Sequence, residues 1–114
     1  MSSVTIWHNP RCSKSRQTLA LLTEQQIQPT IVEYLKVAPT EAEIRHTLEL
    51  LGISAKQMMR TKETEFKEQN LSDADEMSLI SAMHNTPKLI ERPIVFANGK
   101  AAIGRPPEAV LEIL

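Results

Sequence analysis

The sequence predicts an α/β domain on a four-stranded mixed sheet, and three observations carry that expectation. A β-branched, apolar run at Val4-Thr5-Ile6-Trp7 is followed by a helix-compatible segment and then by a second such run, Thr30-Ile31-Val32-Glu33-Tyr34-Leu35. Strand, helix and strand over so short a span form a right-handed crossover unit, which makes the two strands parallel. Near the other end, Ile94-Val95-Phe96-Ala97 and Lys100-Ala101-Ala102-Ile103 flank Asn98-Gly99, the dipeptide that best supplies the positive φ angles of a tight hairpin. Between these β regions, about 40–90, the spacing is helical and capping residues recur.

The first helix is expected over Ser13 to Gln26, which contains neither Gly nor Pro and places Leu19 and Leu22 on one face. Gln28-Pro29 separates it from the second strand. Thr40 with Glu43 is a capping box opening a helix with Ile44, Leu48 and Leu51 on one face, ended by Gly52. Ser54 with Gln57 repeats the box for a short helix through Met58 and Met59 that stops near Arg60. The charged stretch Thr61 to Asn70 has room for one further turn around Glu65 to Lys67. Ser72 is expected to cap a helix to about Asn85, with Leu79, Ile80 and Met83 facing inward, and Met58, Met59, Met77 and Met83 serving as core filler. Thr86-Pro87 and Arg92-Pro93 bracket residues 88–91, and Gly104-Arg105-Pro106-Pro107 turns into a closing helix from about Pro107 to Ile113. The order βαβ, helical insert, ββα describes a thioredoxin-like fold, one domain over 1–114 with its insert at about 40–90.

At 114 residues the chain supports one core, and a net charge of −1 without a dense Lys/Arg block announces neither nucleic acid nor an anionic membrane. Met1-Ser2-Ser3 leads straight into a strand without a basic region and apolar stretch, and no segment reaches transmembrane length, so a cytoplasmic protein is expected. With one cysteine there can be no internal disulfide, which suits a reducing compartment and excludes a self-contained dithiol cycle.

That cysteine, Cys12, falls where the first strand hands over to the first helix, after the break at Asn9-Pro10. The first N–H groups of a helix lack intrahelical acceptors and carry about half a positive charge, which favours a thiolate over a thiol. Arg11, Lys14 and Arg16 surround it, and no acidic side chain precedes Glu24. A free cysteine is more commonly a small buried hydrophobe. The neighbours Arg11, Ser13, Lys14 and Ser15 are ones no core would accept, so the reactive reading is preferred. Ser15 lies one helical turn on, where its hydroxyl could donate to the thiolate or could be an ordinary first-turn serine. His8 ends the first strand and could tune the cysteine electrostatically. A metal site from Cys12 and His8 would lack the roughly four ligands of a structural zinc, so no metal is expected, and His46 and His84 read as helix-surface residues.

The run His8-Asn9-Pro10-Arg11-Cys12-Ser13-Lys14-Ser15-Arg16-Gln17-Thr18 closely resembles the active-site loop of the glutaredoxin-linked arsenate reductases of the ArsC family. The likeness continues through Tyr34-Leu35, Leu51-Gly52-Ile53, Met59-Arg60, Glu91-Arg92-Pro93-Ile94-Val95 and Gly104-Arg105-Pro106. It implies Cys12 as nucleophile, Arg60, Arg92 and Arg105 as oxyanion-binding arginines, and a cis bond before Pro93. Ser13-Lys14 replaces the Gly-Thr of better-studied members, which places the sequence nearer a shorter subgroup with a Cys-Ser-Lys-Ser loop; the C-terminal extension of the longer type is missing after Leu114. A branch of RNA-polymerase-binding regulators, the Spx type, shares the fold but usually has Cys-x-x-Cys, where this chain has Ser15.

The chemistry fits the resemblance, since a tetrahedral oxyanion calls for guanidinium forks and a thiolate to attack its central atom. Any single arginine could instead be an exposed ion pair, although Arg92 and Arg105 each abut a proline in a turn flanking the third or fourth strand. The resemblance implies that Cys12 attacks arsenate and that glutathione, a co-substrate rather than a bound cofactor, joins the adduct. Arsenite then leaves with a Cys12–glutathione disulfide that glutaredoxin resets. The alternatives are a glutathione-linked thiol oxidoreductase on another substrate and a non-catalytic regulator of the same fold.

Overall fold

The structure, a computed structural model, describes residues 3–114. Met1 and Ser2, which the sequence reading sets ahead of the first strand, lie outside the described residues. The chain forms two compact units, Met1–Val37 with Arg92–Leu114, and Ala38–Glu91.

The first unit contains the whole sheet. Its strands are β1 (Thr5–Trp7), β2 (Thr30–Val32), β3 (Ile94–Ala97) and β4 (Lys100–Ile103), in the order β2-β1-β3-β4. β1 pairs parallel with β2, setting Ile6 opposite Ile31, and antiparallel with β3, setting Ile6 opposite Val95. β3 and β4 form the predicted hairpin, with Asn98 and Gly99 at φ 54° and 73°. The first helix, α1, covers Ser13–Glu24, and the closing Pro107–Ile113 segment is a 3-10 helix. This is the thioredoxin-like arrangement. Ile6, Leu22, Val95, Ala97, Val110 and Ile113 make the core of this unit, with Val4, Leu19, Ile27 and Ala102 against it. Burying Ile6 or Leu22 completely, each 0% exposed, contributes about 1.5–3 kcal/mol.

The ends of β2 and α1 differ from expectation. β2 stops at Val32 rather than Leu35, because the Glu33 carbonyl turns to accept the N–H groups of Lys36 and Val37 at 2.9 and 3.0 Å. α1 stops at Glu24 because Gln26 takes φ 62°, letting Ile27 and Gln26 donate back to the Leu22 and Thr23 carbonyls. That is a Schellman closure without the usual glycine. The buried face of α1 is Ser15, Thr18 and Leu22, with Leu19 only half-buried.

In the second unit, α2 spans Glu41–Leu51, α3 Thr64–Glu68 and α4 Glu76–Asn85. The Thr40–Glu43 capping box is complete, at 2.9 and 3.1 Å, and Gly52 closes α2 in the left-handed region at φ 67°. Ser54 and Gln57 exchange bonds at 2.9 and 3.4 Å ahead of a 3-10 turn at Lys56–Met58. Ser72 is not the cap of α4. It sits in a separate 3-10 turn, Leu71–Asp73, anchored by buried Leu71, and the Asp75 carboxylate instead receives the Ser78 N–H at 2.8 Å. A carboxylate satisfies that N–H and complements the helix dipole at once. Met77 is 71% exposed and is no core filler, because it lies two residues, about 200° of helical turn, before buried Leu79. Met58, Met59 and Met83 are buried. His84 is not simply a surface residue either, since its Nδ1 bonds the Pro39 carbonyl oxygen at 2.7 Å. His46 is exposed.

Candidate active site

Cys12 is the N-cap of α1, with extended φ, ψ of −94° and 124°. Its own N–H donates to the Asn9 carbonyl at 3.0 Å, while its carbonyl accepts the Arg16 N–H at 3.0 Å, so the residue is fixed on both sides. Asn-Pro chemistry shapes the turn. The Asn9 side-chain oxygen accepts the Arg11 N–H at 3.0 Å, an Asx turn that the sequence signals through Asn9-Pro10.

Cys12 is 9% exposed, so the thiol is more enclosed than a reactive cysteine on a surface loop. That burial by itself pushes the thiol pKa up, yet the net shift is downward. The opposing influences are the Ser15 N–H, the Arg92 guanidinium, which bonds to the sulfur and adds its charge, and the Lys14 N–H. The two N–H groups do not form a capping bond of good geometry, so they act as the positive end of the helix. Cys12 is therefore held below the ordinary thiol range by the helix N-terminal N–H groups the sequence points to, but the cation that joins them is a different one. Lys14 acts through its backbone, and the dominant charge is that of Arg92, distant in sequence, rather than those of Arg11, Lys14 and Arg16.

Arg92 and Arg105 stand beside this sulfur. Nη2 of Arg105 is 4.0 Å from Cys12 Sγ, and its Nε donates to the Arg92 carbonyl at 2.9 Å, coupling the two arginines through the backbone. Arg92 precedes β3 and Arg105 follows β4, so the hairpin returns both to the end of the sheet where β1 delivers Cys12. The Arg92–Pro93 bond is cis, as the resemblance implies, and Arg105–Pro106 is cis as well. Gly104 makes this closeness possible. A Cβ there would come within 2.5 Å of Thr18 Oγ1 and 2.8 Å of Pro93 Cγ, while its N–H donates to the Pro93 carbonyl at 2.9 Å. Sequence reading gave Gly104 no such task.

Arg60 belongs to the second unit. Its N–H is fixed to the Leu89 carbonyl at 2.7 Å beside the Met59–Ile90 bridge, and its guanidinium pairs with Glu63 at 2.6 Å. Lys88 joins from the other side, 3.6 Å from Glu63 and 3.4 Å from Glu65.

Ser15 and His8 are joined, but not to the sulfur. The Ser15 hydroxyl, 0% exposed, lies 2.6 Å from His8 Nδ1 and accepts the Asn9 N–H at 3.0 Å. The hydroxyl is thus engaged away from Cys12, and it is the Ser15 backbone N–H that faces the thiolate. Burial lowers the His8 pKa, with Arg16 lowering it further and Glu33 partly opposing, so the ring is neutral at pH 7. A neutral His8 cannot tune Cys12 as a cation; it braces Ser15 and through it the turn. Among the described residues, no group of three or more His, Cys, Asp or Glu is placed to hold a metal ion, and no helix is long and apolar enough to cross a membrane.

A single cysteine sulfur held below the ordinary thiol range at a helix N-terminus, flanked by guanidinium groups on a thioredoxin-like sheet, defines a thiol-centred α/β protein. The profile of the ArsC family matches residues 7–113, and the chain belongs to that family. It is 56% identical over 114 residues to the uncharacterized protein YfgD of Escherichia coli K12, covering 97% of this chain and 96% of that one. It is 50% identical over 115 residues to an arsenate reductase of Haemophilus influenzae, covering 98% and 99%. A solved arsenate reductase from Vibrio cholerae superposes with a TM-score of 0.95 at 52% identity, covering 98% of each chain.

Proposed function

We propose that this protein is an arsenate reductase in which Cys12 is the nucleophile and glutathione and glutaredoxin supply the electrons. The observation that carries this reading is the Cys12 sulfur held below the ordinary thiol range with Arg92 bonded to it and Arg105 at 4.0 Å. A thiolate and planar cations meeting at one point suit an anion that must be both bound and attacked. Family membership and the arsenate reductases among its relatives support the same substrate.

In the proposed cycle, the Cys12 thiolate attacks arsenic and one oxygen leaves as water, giving a Cys12–S–As(V) adduct. Arg92 and Arg105 neutralise the remaining oxygens; Arg60 is assigned the third oxyanion contact from the family pattern. Glutathione condenses on the arsenic with loss of a second water. The two sulfurs then couple to a disulfide: of the two As–S bonding pairs, one becomes the S–S bond and the other stays on arsenic, reducing As(V) to As(III), which takes up water and departs as arsenite. Per turnover, arsenate and two thiols give arsenite, one water and one disulfide. Because the chain has a single cysteine, that disulfide must contain an outside thiol. Glutaredoxin is proposed to remove it, and such a cycle suits the reducing cytoplasm. The depressed pKa helps attack modestly, since nucleophilicity falls with basicity, and helps more when Cys12 must leave the disulfide. The test is arsenate-dependent oxidation of NADPH with glutathione, glutaredoxin and glutathione reductase. Turnover that stops when any one is omitted is expected; no arsenate dependence would remove the assignment.

A further inference from the structure

The turn that carries Cys12 has two flanks. On the β3–β4 side stand Arg92 and Arg105. On the side of β2, an edge strand, lies an open cleft of about 420 Å³ bordered by residues 8–11 and by Glu33, Leu35 and Lys36. That volume is within the range of small-molecule sites, roughly 300–1,000 Å³. The cleft begins at Arg11, immediately before the nucleophile. The Arg11 backbone is pinned by Asn9 at 3.0 Å while its side chain reaches solvent. Lys36 and Glu33 pair at 3.4 Å with side chains 76% and 40% exposed, a contact worth little and readily exchanged for a ligand's charges. Leu35, 45% exposed, adds an apolar surface.

We propose that this cleft is the subsite for the thiol co-substrate, a small peptide thiol with two carboxylates and one ammonium, which is the charge pattern of glutathione. Arg11 and Lys36 take the carboxylates, Glu33 takes the ammonium, and the peptide stem lies on Leu35. The proposal rests on Cys12 being the reacting thiol of the cycle above. Two cations and one carboxylate match two carboxylates and one ammonium, all ionised at neutral pH. The location also follows from the chemistry. The co-substrate must reach a group already attached to Cys12 and held by guanidinium groups on the β3–β4 side, and the cleft lies on the other flank, one residue from Cys12.

The test uses no arsenic. Cys12 is converted to its mixed disulfide with thionitrobenzoate, and glutathione, glutathione diethyl ester or 2-mercaptoethanol is added. The incoming thiolate forms the new S–S bond to Cys12 while the coloured thionitrobenzoate leaves with the electron pair of the old one, so the exchange is redox-neutral. For the unmodified protein, the glutathione rate is expected to saturate. The ratio of glutathione to 2-mercaptoethanol rate constants is expected to fall at least fivefold in Lys36→Glu and when the diethyl ester replaces glutathione; Glu33→Lys should lower it less. The same ratio in Lys36→Glu as in the unmodified protein, or an ester as fast as glutathione, would overturn the subsite. Because arsenate is absent, either result stands whatever the arsenate assay gives.

Discussion

Arg92 and Arg105 belong to the sheet unit and stand at the Cys12 sulfur, whereas Arg60 belongs to the helical unit and pairs with the Glu63 carboxylate at 2.6 Å. All three are expected from one resemblance to bind the oxyanion, yet they are held differently. The first two are coupled by the bond from the Arg105 Nε to the Arg92 carbonyl at 2.9 Å and stand before a sulfur held below the ordinary thiol range. Arg60 already has a carboxylate, with Lys88 sharing it. The difference teaches that arginines of one expected role can be separated by their counter-ions. Arg92 acts on the Cys12 sulfur, whereas Arg60 is held by Glu63, so in the proposed cycle Arg60 has to give up an ion pair to take an oxyanion.

The largest effect should come from the group both arrangements are proposed to serve. Cys12→Ser is expected to abolish arsenate turnover and the glutathione adduct, because a serine hydroxyl is not ionised near pH 7 and cannot form a disulfide. Residual turnover above background would mean another group carries the chemistry. Arg92→Ala comes next. A hydrogen bond to a charged group contributes about 1.5–3 kcal/mol, so kcat/KM should fall about 10–100-fold. The alkylation midpoint of Cys12 should also move up toward that of a free thiol. In the unmodified protein the thiolate persists at pH values where a free cysteine is protonated, so alkylation should remain fast there and be lost only as pH falls through the depressed pKa. A midpoint unmoved in Arg92→Ala would assign the depression to the helix N-terminus alone.

Gly104→Ala tests the packing that brings the two arginine turns together. Its Cβ would meet Thr18 and Pro93 below normal contact, so unfolding stability should drop by about 1–3 kcal/mol in a denaturant melt. A neutral outcome would mean Thr18 can swing away. The smallest effect is expected from Glu63→Gln. Freeing Arg60 from a partly exposed pair removes a competitor worth about 0.2–1 kcal/mol, so arsenate KM should fall by no more than about fivefold. A raised KM would show that Glu63 positions Arg60 rather than competes for it.

His8 gives a pH test within the sheet unit. Its folded pKa lies below the ordinary 6.5, so as pH falls through 6.5 the unfolded chain binds a proton that the folded one refuses. Stability should decline over that window and level off below the folded value. A melt series in which His8→Gln retains the decline would move its origin elsewhere.

How much was legible depended on the range of the interactions. The strands β3 and β4, the Asn98-Gly99 hairpin and both capping boxes are set by residues a few positions apart, and all are found where the sequence puts them. Cys12 at the strand-to-helix junction is of the same kind. The cap of α4 was missed because Ser72, Asp73 and Asp75 all suit the role, and burial of Leu71 decides among them. The agent acting on the thiol was harder to see. Arg11, Lys14 and Arg16 are neighbours in sequence, but the charge that matters is brought by the β3–β4 hairpin from Arg92, and proximity along the chain carries no information about that. The sequence leaves the Ser15 hydroxyl open between a thiolate donor and an ordinary first-turn serine for a similar reason, since the partner that claims it, His8, lies seven residues back across the turn.

The most direct test of the thiolate and guanidinium site as an arsenate reductase is a single turnover. The reduced protein is mixed with one equivalent of arsenate and excess glutathione without glutaredoxin, quenched, and read by mass spectrometry alongside arsenite quantification. One glutathione on Cys12 and one equivalent of arsenite are predicted, with the adduct then removed by glutaredoxin and only poorly by thioredoxin. Arsenite without an adduct, a covalent homodimer through Cys12 as the obligatory intermediate, or no arsenite at all would contradict it.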